Sequence, residues 1–339
     1  MRRSISAAAL VVVVAALGAT SAWAASLGVT SARLTLFRAA GPVVDADVRA
    51  PALVSLEMSE TGTPDGFVDR VIATFDEPLA ANGAGTAGWS STTSPSGRVV
   101  TAVTVAAGGT TAVLSLGGGT TTKDTAGSGF TVALAATAGG IRDAAGNLSS
   151  FAATPVADRA GPVPTRLVIE NGPSPGDGNG GEAGKGDRVR VTFSEKLAVA
   201  SVCSTWSGAA TAQSISASSV VTVAIKNHAS APATTNDQLR VTTTSAACGG
   251  AFRFGTIDLG SPGFVDADTT FGGASPNQST IAWSPTAAEL VVTLGAASAV
   301  PTDENASSIV ATYVPASGLQ DLAGNAAGGS VASAQARQF

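Results

Sequence analysis

The sequence predicts an all-β protein: two tandem β-sandwich modules behind an export signal, the second enlarged by a strand-rich insertion. Three observations carry this reading. Apolar and polar residues alternate in short runs such as Val71-Ala73-Phe75, Val189-Val191-Phe193 and Val220-Thr222-Ala224. Clusters of Ser, Thr, Gly and Pro separate these runs, and a period of two between turn signals marks a half-buried strand. No stretch beyond the N-terminus keeps a 3.6-residue period with helix-forming residues. Finally, the same landmarks occur twice in the same order, the mark of a repeated structural unit.

The first element is an address. Met1-Arg2-Arg3 is a positive start, Ala7 to Gly18 is apolar, and Ala22-Trp23-Ala24 fits a small-x-small cleavage site. The apolar run falls short of the ~20 residues that a membrane-spanning helix needs. Residues 1–24 are therefore read as a signal peptide cleaved between Ala24 and Ala25, with no membrane-spanning segment left in the mature chain. Export sets the redox context. Cys203 and Cys248 are the only cysteines, and an even count in an oxidising compartment points to a disulfide. Closing that loop is worth roughly 4 kcal/mol in the chain-entropy picture.

Composition excludes several functions. Of the 339 residues, 13% are charged, and the net charge is −5, so no basic field exists to hold nucleic acid. One histidine, His228, serves the whole chain, which rules out a His-rich metal site and leaves no obvious catalytic triad.

The repeat defines the modules. Arg70–Leu79 aligns with Arg188–Leu197 at an offset of 118, and Trp89 with Trp206 at 117. Val113–Gly117 matches Val291–Gly295, and Asp143–Asn147 matches Asp321–Asn325, both at 178. The second copy thus holds about 60 additional residues after its Trp. The expected organisation is an N-terminal extension over 25–50 with a candidate edge strand at Leu34–Phe37, module 1 over 51–157, and module 2 over 158–339 with an insertion at about 207–289.

The sharpest polar features are Asp143-Ala144-Ala145-Gly146-Asn147 and Asp321-Leu322-Ala323-Gly324-Asn325. Each suits a turn, because Asp bonds its own backbone and Gly and Asn accept positive φ. Each also offers hard oxygen donors, so Asp143, Asn147, Asp321 and Asn325 are candidate Ca²⁺ ligands. Calcium takes 6–8 oxygens, and the missing carboxylates would come from Asp45, Asp47 or Asp158 at the module junctions. Asp65–Asp69 and Asp177–Gly180 read as hairpin loops without the full ligand alternation of a calcium loop. Gly176–Gly181 matches a dinucleotide fingerprint only on paper, since a strand follows it where a helix is required. Asp266 and Asp268 are the nearest thing to a glycosidase acid pair, but sugar-stacking aromatics are scarce. Trp89 and Trp206 recur and read as core residues. Trp283 has no counterpart in the first copy and is the candidate ligand-binding aromatic.

The strand ending Thr192-Phe193-Ser194-Glu195-Lys196-Leu197, its partner Thr74–Leu79, and the later Asp-x-Ala-Gly-Asn resemble the bacterial Ig-like domains of secreted, cell-surface and surface-layer-associated proteins. That resemblance implies an extracellular β-sandwich used as a spacer, adhesion or assembly module. The expected function is a secreted or cell-surface structural or adhesive protein without catalysis, whose partner is a cell-envelope component or another surface protein. Two alternatives accompany it: carbohydrate binding through loops of module 2 near Trp283, and self-assembly into a surface layer.

Overall fold

The computed structural model describes residues 46–119, 122–172, 182–228, 236–250, 252–299, 308–336 and 339. The signal peptide with Ala24 and Ala25, Asp45, the Leu34–Phe37 segment and the Asp177–Gly180 loop lie outside the described residues. What is described is β throughout, apart from single helical turns at Val199–Val202 and Ser245–Cys248. No helix among the described residues is long and apolar enough to cross a membrane.

In chain order the first strands are β1 (Leu53–Ser59), β2 (Arg70–Phe75), β3 (Trp89–Ser91), β4 (Val99–Val105), β5 (Thr111–Gly117), β6 (Thr131–Leu134) and β7 (Phe151–Pro155). After the two-residue β8 (Ala157–Asp158) come β9 (Pro164–Glu170), β10 (Arg188–Phe193), β11 (Gln213–Ile215), β12 (Val221–Lys226), β13 (Gln238–Thr243) and β14 (Gly255–Asp258). The last are β15 (Thr269–Phe271), β16 (Thr280–Ser284), β17 (Glu289–Thr293), β18 (Thr312–Pro315) and β19 (Val331–Ala332).

Period-two sequence produces one-sided burial. In β2, Val71, Ala73 and Phe75 are buried while Arg70, Ile72 and Thr74 stay half exposed; in β10, Val189, Val191 and Phe193 do the same. Two sheets with strand orders β4-β5-β2-β1-β8 and β3-β6-β7 share a core that includes Leu56, Phe75, Leu114 and Val132. Two others, β11-β16-β17-β10-β9 and β15-β12-β13-β14-β18-β19, share a separate core that includes Val191, Val223, Ile257, Trp283 and Tyr313. We refer to each sheet pair with its core as a module. Both belong to one compact unit, Ala46–Phe339.

Two of the repeated stretches occupy like places, whereas Trp89 lies on β3 and Trp206 lies outside any strand, in the turn after Val199–Val202. β2 lies between β5 and β1, with Val71 opposite Leu114. β10 lies between β17 and β9, with Val189 opposite Val292. The added strands are β11, which flanks β16 where β4 is an edge, and β12 to β15, which extend the second sheet through the pairing of β14 with β18. The insertion is therefore narrower than 207–289, because β16 pairs with β17 just as β4 pairs with β5. Trp283, opposite Leu290, takes the place that Val105, opposite Ala112, holds in the first module. Trp283 therefore has a counterpart, Val105, which the gap in the repeat conceals.

Cys203 and Cys248 form the expected disulfide. Both are buried, and they tie the turn after β10 to the turn after β13. Phe339 packs its ring edge-on against Phe264 at 5.8 Å.

Candidate metal centres at the module junctions

The Asp-x-Ala-Gly-Asn segments form the same turn twice. Asn147 N–H donates to Asp143 Oδ1 at 2.8 Å, and the Asn147 amide Nδ2 donates to Asp143 Oδ2 at 2.6 Å. The Asn325 pair to Asp321 measures 2.7 Å and 2.7 Å. Gly146 and Gly324 sit at φ +95° and +89°, a region that a side chain would strain. Each asparagine also reaches the segment entering its module: Asn147 Nδ2 donates to the Asp47 carbonyl at 3.0 Å, and Asn325 Nδ2 to the Ala160 carbonyl at 3.2 Å. The turn chemistry and the cation chemistry are thus not rivals. The turn aims a carboxylate, and the asparagine amide clamps it to the incoming linker.

The carboxylates so aimed do not stand alone. Ligand oxygens of Asp47, Glu77 and Asp143 lie within 4.8 Å of one another, as do those of Asp158, Glu195 and Asp321. The linker acids Asp47 and Asp158, expected as supplementary ligands, are in place. The glutamates were not assigned from sequence. A signal for them existed: Glu77 and Glu195 stand at the same position in the repeated ten-residue stretch, where Asp76 and Pro78 give way to Ser194 and Lys196.

The electrostatics follow from burial and crowding. Glu195 is 8% exposed; burial first, then the charges of Asp158, Asp321 and Asp124, push its carboxyl up to about 8. Asp158 is pushed up to about 6, again by burial first, with Asp321 adding repulsion. Glu77 rises through burial and the neighbouring Asp47 and Asp143. Its Oε1 is shielded from water and accepts no hydrogen bond. Asp143 moves the other way: burial alone would raise it, but the side-chain and backbone hydrogen bonds from Asn147, with backbone N–H groups of Gly146 and Ala145, outweigh burial. Arg49 and Arg159 pull Glu77 and Asp158 the other way while pairing with other acids. Arg49 pairs with Asp76, and Arg159 pairs with Glu57 at 3.1 Å.

The second cluster has a feature that the first lacks. Thr125, fully buried in the loop between β5 and β6, places its Oγ1 2.6 Å from Glu195 Oε1 and 2.6 Å from Ser194 Oγ. Ser194 Oγ in turn accepts from Val163 N–H at 2.9 Å. Either hydroxyl can donate across the Thr125–Ser194 contact.

Other candidate positions resolve differently. Trp283 is 1% exposed, and its indole N–H donates to the Ala209 carbonyl at 2.9 Å, so the expected ligand-binding aromatic is a core residue with no face to offer a sugar. Trp206 is buried in the same core, and Trp89 packs edge-on against Phe151 at 5.8 Å. Asp268 is 56% exposed and paired with Lys226 at 2.5 Å. In the Asp65–Asp69 loop, Asp65 Oδ1 accepts from Phe67 N–H, and Asp69 Oδ2 accepts from both the backbone and the hydroxyl of Thr61; these carboxylates hold the loop's own shape. Compared with family models, with curated proteins and with solved structures, the chain finds no match.

Proposed function

We propose that this chain is an exported, non-catalytic structural or adhesive protein of the cell surface, in which Ig-like β-sandwich modules act as spacers stiffened by Ca²⁺ at their junctions. The observation that carries the reading is the recurrence of one carboxylate cluster where the linker enters each module. An enzyme has one site to build; a structural array has the same joint to build each time a module begins. The donor set is all oxygen, which suits a hard cation. In the first cluster, Glu77 Oε1 is a shielded acceptor without a donor, a costly arrangement that a cation relieves. Asp47, Glu77 and Asp143 would hold one ion, and Asp158, Glu195 and Asp321 the other, with backbone carbonyls and water completing the shell. The disulfide supports an oxidising location.

The test is thermal unfolding of the mature protein in Ca²⁺ and in chelator. At a Ca²⁺ concentration 100 times the dissociation constant, each site adds about 2.7 kcal/mol. For a chain of this size melting as one unit that is roughly 4 °C per site. Glu77→Gln should abolish one part of the shift and Glu195→Gln the other. Equal melting temperatures in Ca²⁺ and chelator would overturn the cation sites. Recovery of the protein only from the cytoplasmic fraction of its own cells would overturn the surface location.

A further inference from the structure

We infer that the Thr125 hydroxyl is a pin that locks module 1 onto module 2, making the pair one rigid body rather than two beads on a linker. This goes beyond the proposed function, because the lock uses protein groups alone and holds with or without Ca²⁺.

Four contacts converge. Thr125 belongs to module 1 by sequence but spends its hydroxyl on Ser194 and Glu195 of module 2, in a setting closed to water. The rest of its loop is held by Ala126 N–H on Asp124 Oδ1 at 2.9 Å and Gly127 N–H on Asp158 Oδ2 at 3.3 Å. On another part of the same interface, Pro64 of module 1 lies against Gly328 and Gly329 of module 2. A Cβ on Gly328 would stand 2.9 Å from Pro64 Cγ, and one on Gly329 2.7 Å from the Pro64 carbonyl oxygen. The linker is tied at both ends: β8 pairs in parallel with β1, while Asn325 holds the Asp158 and Ala160 carbonyls.

Among the described residues, the pin stands at the junction between the two modules and has no counterpart where the chain enters module 1. At the equivalent place in module 1, the residue after Thr-Phe is Asp76 rather than a serine. Asp76 Oδ1 accepts from Ala52 N–H at 2.8 Å, just as Ser194 accepts from Val163, but its outward side is met by Arg49 of its own linker. Among the described residues, the hydroxyl relay stands where a loop of the other module arrives.

Thr125→Val keeps the shape and removes the hydroxyl, leaving a buried carboxylate oxygen and Ser194 without their shared partner. Calorimetry should show the wild type melting in one transition, in Ca²⁺ and in chelator alike. The Val variant should split into two transitions, the first lower by roughly 4–8 °C, and Thr125→Ser should restore the single one. Residual dipolar couplings provide a second readout on the wild type: one alignment tensor is expected for both modules. Two transitions or two tensors in the wild type would overturn the lock, as would a Val variant that melts like the wild type. Because every arm is run in chelator too, failure of the cation sites leaves this outcome readable.

Discussion

Replacing Trp283 separates a core residue from a ligand contact, and its cost can be worked from the packing. The side chain is 1% exposed and stands opposite Gln213 on one side and Leu290 on the other. Truncating a buried Trp to Ala costs roughly 3–5 kcal/mol, most of it for the cavity left behind. The lost indole N–H leaves the buried Ala209 carbonyl without its donor, adding about 1 kcal/mol, the low end for an unsatisfied buried group. Trp283→Ala should therefore cost about 4–6 kcal/mol, and Trp283→Phe, which keeps a ring but not the donor, about half of that. The assay is equilibrium urea unfolding of both variants. The midpoint should fall in the order wild type, Phe, Ala, with the slope unchanged. An Ala variant as stable as the wild type that has lost affinity for cell-wall polysaccharide would refute the burial argument and return Trp283 to the surface.

Two other consequences can be measured directly. Glu60 is pushed up to about 7, by burial first and then by Asp65 and Asp69, against the Gly66 N–H that donates to it at 2.6 Å. Between the ordinary carboxyl value and about 7 the folded chain holds a proton that the unfolded chain releases, so this group's contribution to stability falls as pH rises through that window. Glu60→Gln should match the wild type near pH 4.5 and melt higher at pH 8; the reverse order would show that the carboxylate is stabilised in the fold. Converting both Cys203 and Cys248 to Ala opens a loop whose ends are 45 residues apart and should lower stability by up to about 4 kcal/mol in urea unfolding. A loss below about 1 kcal/mol would mean that the denatured chain already keeps the two ends together.

The strand content, the repeat and the disulfide were legible because each depends on short-range pattern. Alternation in Val71-Ala73-Phe75 states which face is inward, and two cysteines allow a single pairing. Both Asp-x-Ala-Gly-Asn turns were legible for the same reason, since their bonds close within five residues. The glutamates were not, because Glu77 and Asp143 are brought together only by closure of the sandwich. Trp283 was misread through register: a gapped repeat hides that it replaces Val105, and only the pairing of β16 with β17 shows it. Thr125 gave no sign at all. Nothing in Lys123-Asp124-Thr125-Ala126 distinguishes a buried hydroxyl from the many exposed threonines of this chain.

The two junctions, laid side by side, explain why one cluster is closed and the other open. Both need an acceptor for the backbone N–H entering the first strand, and both place an oxygen there: Asp76 Oδ1 for Ala52, Ser194 Oγ for Val163. A carboxylate accepts only, so after meeting Ala52 its remaining oxygen demands a cation, and Arg49 supplies it from the same linker. A hydroxyl both accepts and donates, so after meeting Val163 it can still bond outward, and Thr125 meets it there while its own hydroxyl reaches Glu195. The donor inventory of a single position thus matches what sits beyond it: a charged arm of the same module, or a neutral hydroxyl from the preceding one. Charge follows the same logic. Arg49, 67% exposed, can keep its pair with Asp76 in contact with water at little cost, whereas a pair at the buried Thr125–Ser194 contact would have to be desolvated. The exchange of Asp76 for Ser194 is therefore the residue-level difference between a module that begins the described array and one that is joined within it.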